Sequence, residues 1–132
     1  MKKILMLFLT VMLLNSCKKE DEKLATDMTL NSYSADTKYR SFDIILQLSF
    51  KSDGTALLRA FPGEDVVTLS YTVEDKMAPD SKLHIFGELD KSLYADGLSK
   101  GIKIDWTANI SRLPYKSEVN GFKAGDYHFM SN

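Results

Sequence analysis

Cysteine, histidine, tryptophan and unbalanced charge are all scarce in this sequence, and each scarcity narrows what the chain can be. Its 132 residues hold one cysteine, at position 17, so no disulfide can form within the chain and packing alone must hold the fold. Seventeen basic residues stand against 18 acidic ones, a net charge of −1. That lacks the basic excess that draws proteins to nucleic acid, and nucleic acid is set aside as a partner. Neither a Gly-x-Ser-x-Gly elbow nor a phosphate-binding glycine loop occurs. The one long apolar run, ILMLFLTVMLL at residues 4–14, has eleven residues where a membrane-spanning helix needs about 20. No internal repeat or low-complexity tract is visible.

What is there begins at the amino terminus. Lys2 and Lys3 ahead of the apolar run give it the layout of an export signal, so residues 1–16 read as a signal peptide rather than a membrane anchor. The run ends in Leu14-Asn15-Ser16-Cys17, which resembles the lipobox of bacterial lipoproteins: an aliphatic residue, a tolerant position, a small residue, then cysteine. The resemblance implies that a diacylglyceryl group alkylates the Cys17 thiol, that cleavage falls before Cys17, and that the new amino terminus is acylated in turn, with palmitate-type chains. Two or three such chains, at about 0.8 kcal/mol per buried methylene, pass the threshold that a single chain only approaches. The KKEDEK stretch that follows, and Lys19-Glu20-Asp21 in it, resembles the export signal that takes Bacteroidota lipoproteins to the outer face of the outer membrane. By composition alone, residues 17–26 are a solvated linker, too polar to pack. The expected location is the outer membrane, held by lipid, at the cell surface, with the periplasmic face as the alternative.

Removing the first 16 residues leaves 116, with 15 basic against 18 acidic, and residues 27–132 are enough for one domain with a modest core. Their dominant period is two. In SFDIILQLSF, Phe42, Ile44, Leu46, Leu48 and Phe50 form one apolar row, with Ile45 the exception on the other face. Asp53-Gly54 then marks a hairpin, because that dipeptide supplies positive φ at low cost. Val67, Leu69, Tyr71 and Val73 repeat the row. So do Leu83, Ile85 and Leu89, and then Ile102, Ile104, Trp106, Ala108 and Ile110. A last strand is expected over GDYHFM and a first around MTLNSY. Between the rows lie EDKMAPDS, DKSLYADGLSKG, where a helical turn is expected, and the long RLPYKSEVNGFKAG.

About seven short strands with no convincing helix predict an all-β, antiparallel fold, a small barrel or a sandwich. TLNSY, LQLSFKSDGTA, SYTVED and KLHIF resemble the lipocalin-like lipoprotein domains common in Bacteroidota, in which a strand ending in Phe-x-x-Asp-Gly-Thr opens the first hairpin and a Tyr-Thr-Val strand follows. The resemblance covers residues 29–86 and implies a lipocalin-like barrel. Where that family opens on Gly-x-Trp, this chain has Met28 and Leu30. An immunoglobulin-like sandwich therefore stays open as the alternative.

Chemistry is sparse. His84 and His128 fall on polar faces of expected strands, with Asp126 beside His128; joining them would take a register that nothing in the sequence specifies, so no metal is assigned. Glu64-Asp65 and Glu88 with Asp90 sit in or beside turns, as surface acids do. Trp106 shares the row of Ile102, Ile104 and Ile110, which makes it a core residue rather than a sugar platform. Phe86 falls between His84 and Glu88, opposite Leu83 and Ile85, unless a bulge at Gly87 turns it inward. No catalytic residue and no cofactor is assigned. The reading is a non-enzymatic, lipid-anchored binding lipoprotein for a small ligand, a glycan or an envelope protein. The alternative is an inhibitor or immunity lipoprotein acting through residues 114–125.

Overall fold

The computed structural model describes residues 28–113 and 116–132. The signal segment, Cys17 and the Lys19-Glu20-Asp21 motif lie outside the described residues. The rest is one eight-stranded antiparallel sheet: β1 Ser32–Tyr39, β2 Phe42–Phe50, β3 Thr55–Phe61, β4 Val66–Val73, β5 Asp80–Glu88, β6 Lys103–Ser111, β7 Gly121–Ala124 and β8 Tyr127–Ser131. The spatial order is β6-β5-β4-β3-β2-β1-β8-β7. Every neighbour from β6 to β1 is also a neighbour in sequence, and the pairing of β1 with β8 adds the β7–β8 hairpin and carries the sheet round toward β6. The result is a nearly closed, up-and-down barrel rather than the sandwich, as small lipocalin-like domains are built. Only the seam between β6 and β7 lacks strand hydrogen bonds.

The alternating rows face inward as their period requires. Ile44, Leu46, Leu48, Leu58, Val67, Leu69, Leu83, Ile85, Ile104 and Ile110 are buried, with Tyr33 and Phe129 the largest fully buried side chains. A ring of eight strands encloses little more than its own side chains. Leu46, Leu48, Leu58, Val67, Leu83 and Ile85 have no solvent-accessible area at all, so not even a water fits beside them. Burial of each such side chain is worth about 1.5–3 kcal/mol.

Two ends follow from the up-and-down order. The lower end carries the turns after β2 and β4, the segment between β6 and β7, and the entry of the chain. There the Met28 amide bonds the Lys76 carbonyl and the Thr29 amide the Ser117 carbonyl, and Met28 is buried in the core. The upper end carries the β1–β2, β3–β4 and β7–β8 turns and the long β5–β6 connection. That connection holds no helical turn, contrary to expectation. It runs irregularly across the barrel mouth with Leu93, Ala95 and Leu98 buried. The Leu93 amide bonds the Leu98 carbonyl, and the Asp96 amide reaches back to the Lys38 carbonyl of β1.

Several expected boundaries shift. There are eight strands, not about seven, because Gly121–Ala124 within the supposed long loop is itself a strand. The last strand starts at Tyr127, since Gly125, at φ +58°, and Asp126 make the two-residue turn before it. The first runs on from Tyr33 to Tyr39; its inner positions past Tyr33 are Ala35 and Thr37, too small or polar to show as a hydrophobic row. Phe42 and Ile102 leave their rows, 72% and 43% exposed, because each sits at the upper rim where the barrel ends. Trp106 does face inward, and it seals the seam. Its ring packs against Tyr127 at 5.6 Å and Phe129 at 6.4 Å. A Cβ on Gly125 would stand 2.7 Å from its Nε1, so the turn beneath it must be glycine.

Candidate functional site

Among the described residues, the close-packed core leaves the outer wall and the rims as the surfaces open to a partner. On the wall, the outward row of β5 is His84, Phe86 and Glu88, and register sets Thr107, Asp105 and Lys103 of β6 opposite them in turn. The pairing is unbroken from Asp80 to Glu88, so no bulge exists at Gly87 and Phe86 points outward. Gly87 itself follows the inward row at φ +149°, where a Cβ would meet Leu69 Cδ2 at 2.9 Å.

The two strands place His84 diagonally from Asp105, and His84 Nε2 lies 2.5 Å from Asp105 Oδ1. The same imidazole stacks on the Phe86 ring, centroids 4.8 Å apart and planes 30° from parallel. Asp105 thus holds the imidazole, and the imidazole backs the phenyl ring. Beside this two-ring wall opens a groove of ≈ 400 Å³, lined by His84, Phe86, Gly87, Glu88, Lys103, Ile104 and Asp105. Two carboxylates, one ammonium and one imidazole surround the Phe86 ring. The His84 and Asp105 side chains are 43% and 79% exposed, so their pairing is worth at most about 1 kcal/mol as an ion pair. Its role is orientation.

The upper rim is the second exposed feature. Tyr39 lies against Tyr94 of the mouth-covering connection at 4.3 Å, with the Arg40 guanidinium 5.2 Å from the Tyr39 ring centre. On the outer face just below, Ile45 and Phe61 are cross-strand partners, and the Arg59 guanidinium lies 4.4 Å over Phe61. Among the described residues, five of the seven large exposed apolar side chains belong to the upper half: Phe42, Ile45, Phe61, Tyr94 and Ile102.

The remaining sequence candidates do not converge. His84 is on β5, whose neighbours are β4 and β6, while His128 is on β8, between β1 and β7. Asp126 lies in the turn, not on the strand with His128. No group of three or more His, Cys, Asp or Glu side chains is placed to hold a metal among the described residues. Glu64 and Asp65 are exposed in the β3–β4 turn, and Asp90, exposed like Glu88, begins the mouth-covering connection. The segment proposed for an inhibitory loop is tied down at the lower end: the Leu113 amide bonds the Glu118 carbonyl, Arg112 bridges Val119, and β7 follows. Sequence alone singled out Phe86 by its outward parity. The partnership of His84 with Asp105 needed the β5–β6 register, which crosses a connection whose length hides it. Compared with protein-family models, with curated proteins and with solved structures, the chain matches none.

Proposed function

We propose that this chain is a lipid-anchored outer-membrane lipoprotein with a non-enzymatic binding role, meeting its partner on the barrel's outer wall and upper rim. The observation that carries the reading is the polarity of the barrel. The chain enters at Met28 on the lower end, downstream of the lipobox-like Leu14-Asn15-Ser16-Cys17, and most of the exposed aromatic and aliphatic surface gathers at the other end. A tether at one end presents the other to whatever approaches. The packed interior argues against a ligand held inside the barrel, the usual place in larger barrels of this kind. The inhibitor reading is the less supported one, since the described residues 116–120 lie at the lower end, where the chain enters, and residues 121–124 are a strand of the barrel wall.

The test is palmitate labelling and proteinase K shaving of intact cells that make the protein, comparing wild type with Cys17→Ala and with Glu20 and Asp21 neutralised together. The expected outcome is a labelled, membrane-bound wild type shaved from intact cells, a Cys17→Ala form with neither label nor membrane attachment, and an acid-neutralised form that is labelled but protected. An unlabelled wild type recovered in the soluble fraction would remove the anchored reading.

A further inference from the structure

We infer that the groove on the outer wall between β5 and β6 is a carbohydrate-binding site for an uncharged sugar ring. The inference rests on the binding role proposed above and gives it a place and a ligand class. A pyranose has an apolar face of C–H groups and a rim of hydroxyls. The site matches that division: the outward Phe86 ring supplies the apolar surface, while Glu88 and Asp105 can accept from hydroxyls and Lys103 can donate to them.

Three features argue for this ligand over others. The charges around the groove are of both signs, so it offers neither the cationic cluster that a phosphate needs nor the acidic field that a polycation needs. The backbone of β5 is paired on both sides, Ser70 with Phe86 toward β4 and Phe86 with Asp105 toward β6. A peptide therefore has no free strand edge on β5 to extend, and the unpaired edge of β6 faces β7 across the seam rather than the groove, so recognition there falls to side chains. The aromatic wall is also oriented before any ligand arrives, because Asp105 meets His84 at 2.5 Å and His84 stacks on Phe86. Preorganisation of that kind lowers the entropic cost of binding. The groove beside Asp80 and the one between Asn31 and Asn132 have no aromatic side chain in their linings, and the one beside Asp53 has Tyr71, whose hydroxyl already donates to the Lys51 carbonyl.

The experiment is an amide NMR titration of the full chain, purified in detergent from cells that make it, with cellobiose, maltose and N,N′-diacetylchitobiose, and with glucuronate as the charged control. At least one neutral saccharide is expected to give saturable shifts centred on Phe86, Lys103 and Asp105, with none from glucuronate. Phe86→Ala should weaken that binding about tenfold. Phe86→Trp should retain it, and Glu88→Gln, an exposed change that leaves the core untouched, should weaken it several-fold. The sugar assignment is overturned if all three neutral saccharides are silent at these amides. It is overturned equally if the shifts centre on Tyr39, Phe42 and Tyr94 at the rim, or if Glu88→Gln and a folded Phe86→Ala bind as wild type. A chain that is labelled and shaved as expected yet silent to sugars loses the ligand class and keeps the anchored binding role. An unanchored chain that shifts at Phe86 does the reverse.

Discussion

The two ends of the barrel are closed by different means. At the lower end the strands close it themselves: Tyr33 of β1 meets Phe50 of β2 at 5.8 Å and Phe122 of β7 at 5.0 Å, and Phe50 meets Tyr71 of β4 at 4.9 Å, all edge-to-face. Four strands contribute to one aromatic cluster, and Met28 joins the same core as the chain enters. At the upper end a single connection is laid across the mouth, inserting Leu93, Ala95 and Leu98. One closure is continuous with the sheet, and the other is an added cover. The lower end, where the chain enters, is therefore closed by the sheet itself, and the upper end has the part that can open without breaking a strand pair.

The sharpest way to break that comparison is to cut one large side chain from each end. Phe122→Ala removes a ring that touches Tyr33, Phe50 and Phe129, and should cost about 3–5 kcal/mol. Leu98→Ala should cost about 2 kcal/mol, the low end for a buried leucine, because the cover can settle into the space. Urea unfolding read by tryptophan fluorescence and far-UV circular dichroism gives both numbers. Equal losses would mean that the cover is as integral as the strands. In native-state hydrogen exchange the amides of Leu93 and Leu98 should also exchange ahead of those of Tyr33 and Phe122.

How much of this was legible in the sequence follows the same division. Strands with large inward residues, such as Ile44-x-Leu46-x-Leu48 and Val67-x-Leu69-x-Tyr71, announce their faces by period alone, and Asp53-Gly54 announces the turn between two of them. The upper end was hidden. Its β1–β2 turn is Arg40-Ser41, both at positive φ, 47° and 75°, where asparagine and glycine are the usual residues. Nothing local marks that turn; the carboxylate of Asp96, from the cover, takes the Arg40 amide at 3.2 and 3.3 Å. The burial of Leu93 and Leu98 was equally unreadable, since an irregular segment has no period to reveal an inner face. For the candidate site, Phe86 was legible by parity. The His84–Asp105 contact was not, because it is a diagonal across a register set by tertiary structure.

A middle-sized effect is expected at the lower end from Tyr33→Phe. The Tyr33 hydroxyl donates to the Val119 carbonyl at 2.7 Å, tying β1 to the residue that leads into β7. Removing it leaves a buried carbonyl unpaired and should cost about 1 kcal/mol. The effect also depends on pH. Burial pushes the Tyr33 phenol above its ordinary value, and does the same for Tyr71 and Tyr127. The unfolded chain therefore releases these protons first. The stability they confer is complete below about pH 10, the ordinary tyrosine value, and is lost as pH rises through the higher folded-state values. Tyr33→Phe should make the alkaline decline shallower without abolishing it, as urea midpoints taken across that range would reveal. An unchanged slope would place the alkaline sensitivity in Tyr71 and Tyr127.

The smallest effects separate the turns. Asp96→Ala should cost about 0.5–1 kcal/mol, because it removes the acceptor that holds the Arg40-Ser41 turn. Asp53 at the opposite end supports its turn within its own loop: its Oδ1 accepts the Thr55 amide at 3.0 Å, and Gly54 supplies φ +88°. Hydrogen bonds from Thr55 hold the Asp53 carboxyl below its usual range. Its contribution is present above the ordinary aspartate value of about 3.9 and is lost as pH falls through the lower folded-state value. Asp53→Asn keeps an acceptor oxygen and makes the turn Asn-Gly, itself a favoured hairpin pair, so neutral stability should barely move while the acid limb of the stability profile flattens. An Asp53→Asn protein that loses as much at neutral pH as Asp96→Ala would show that the lower turn, too, depends on charge rather than local geometry, and the contrast between a self-sufficient end and a covered one would fail at its simplest point.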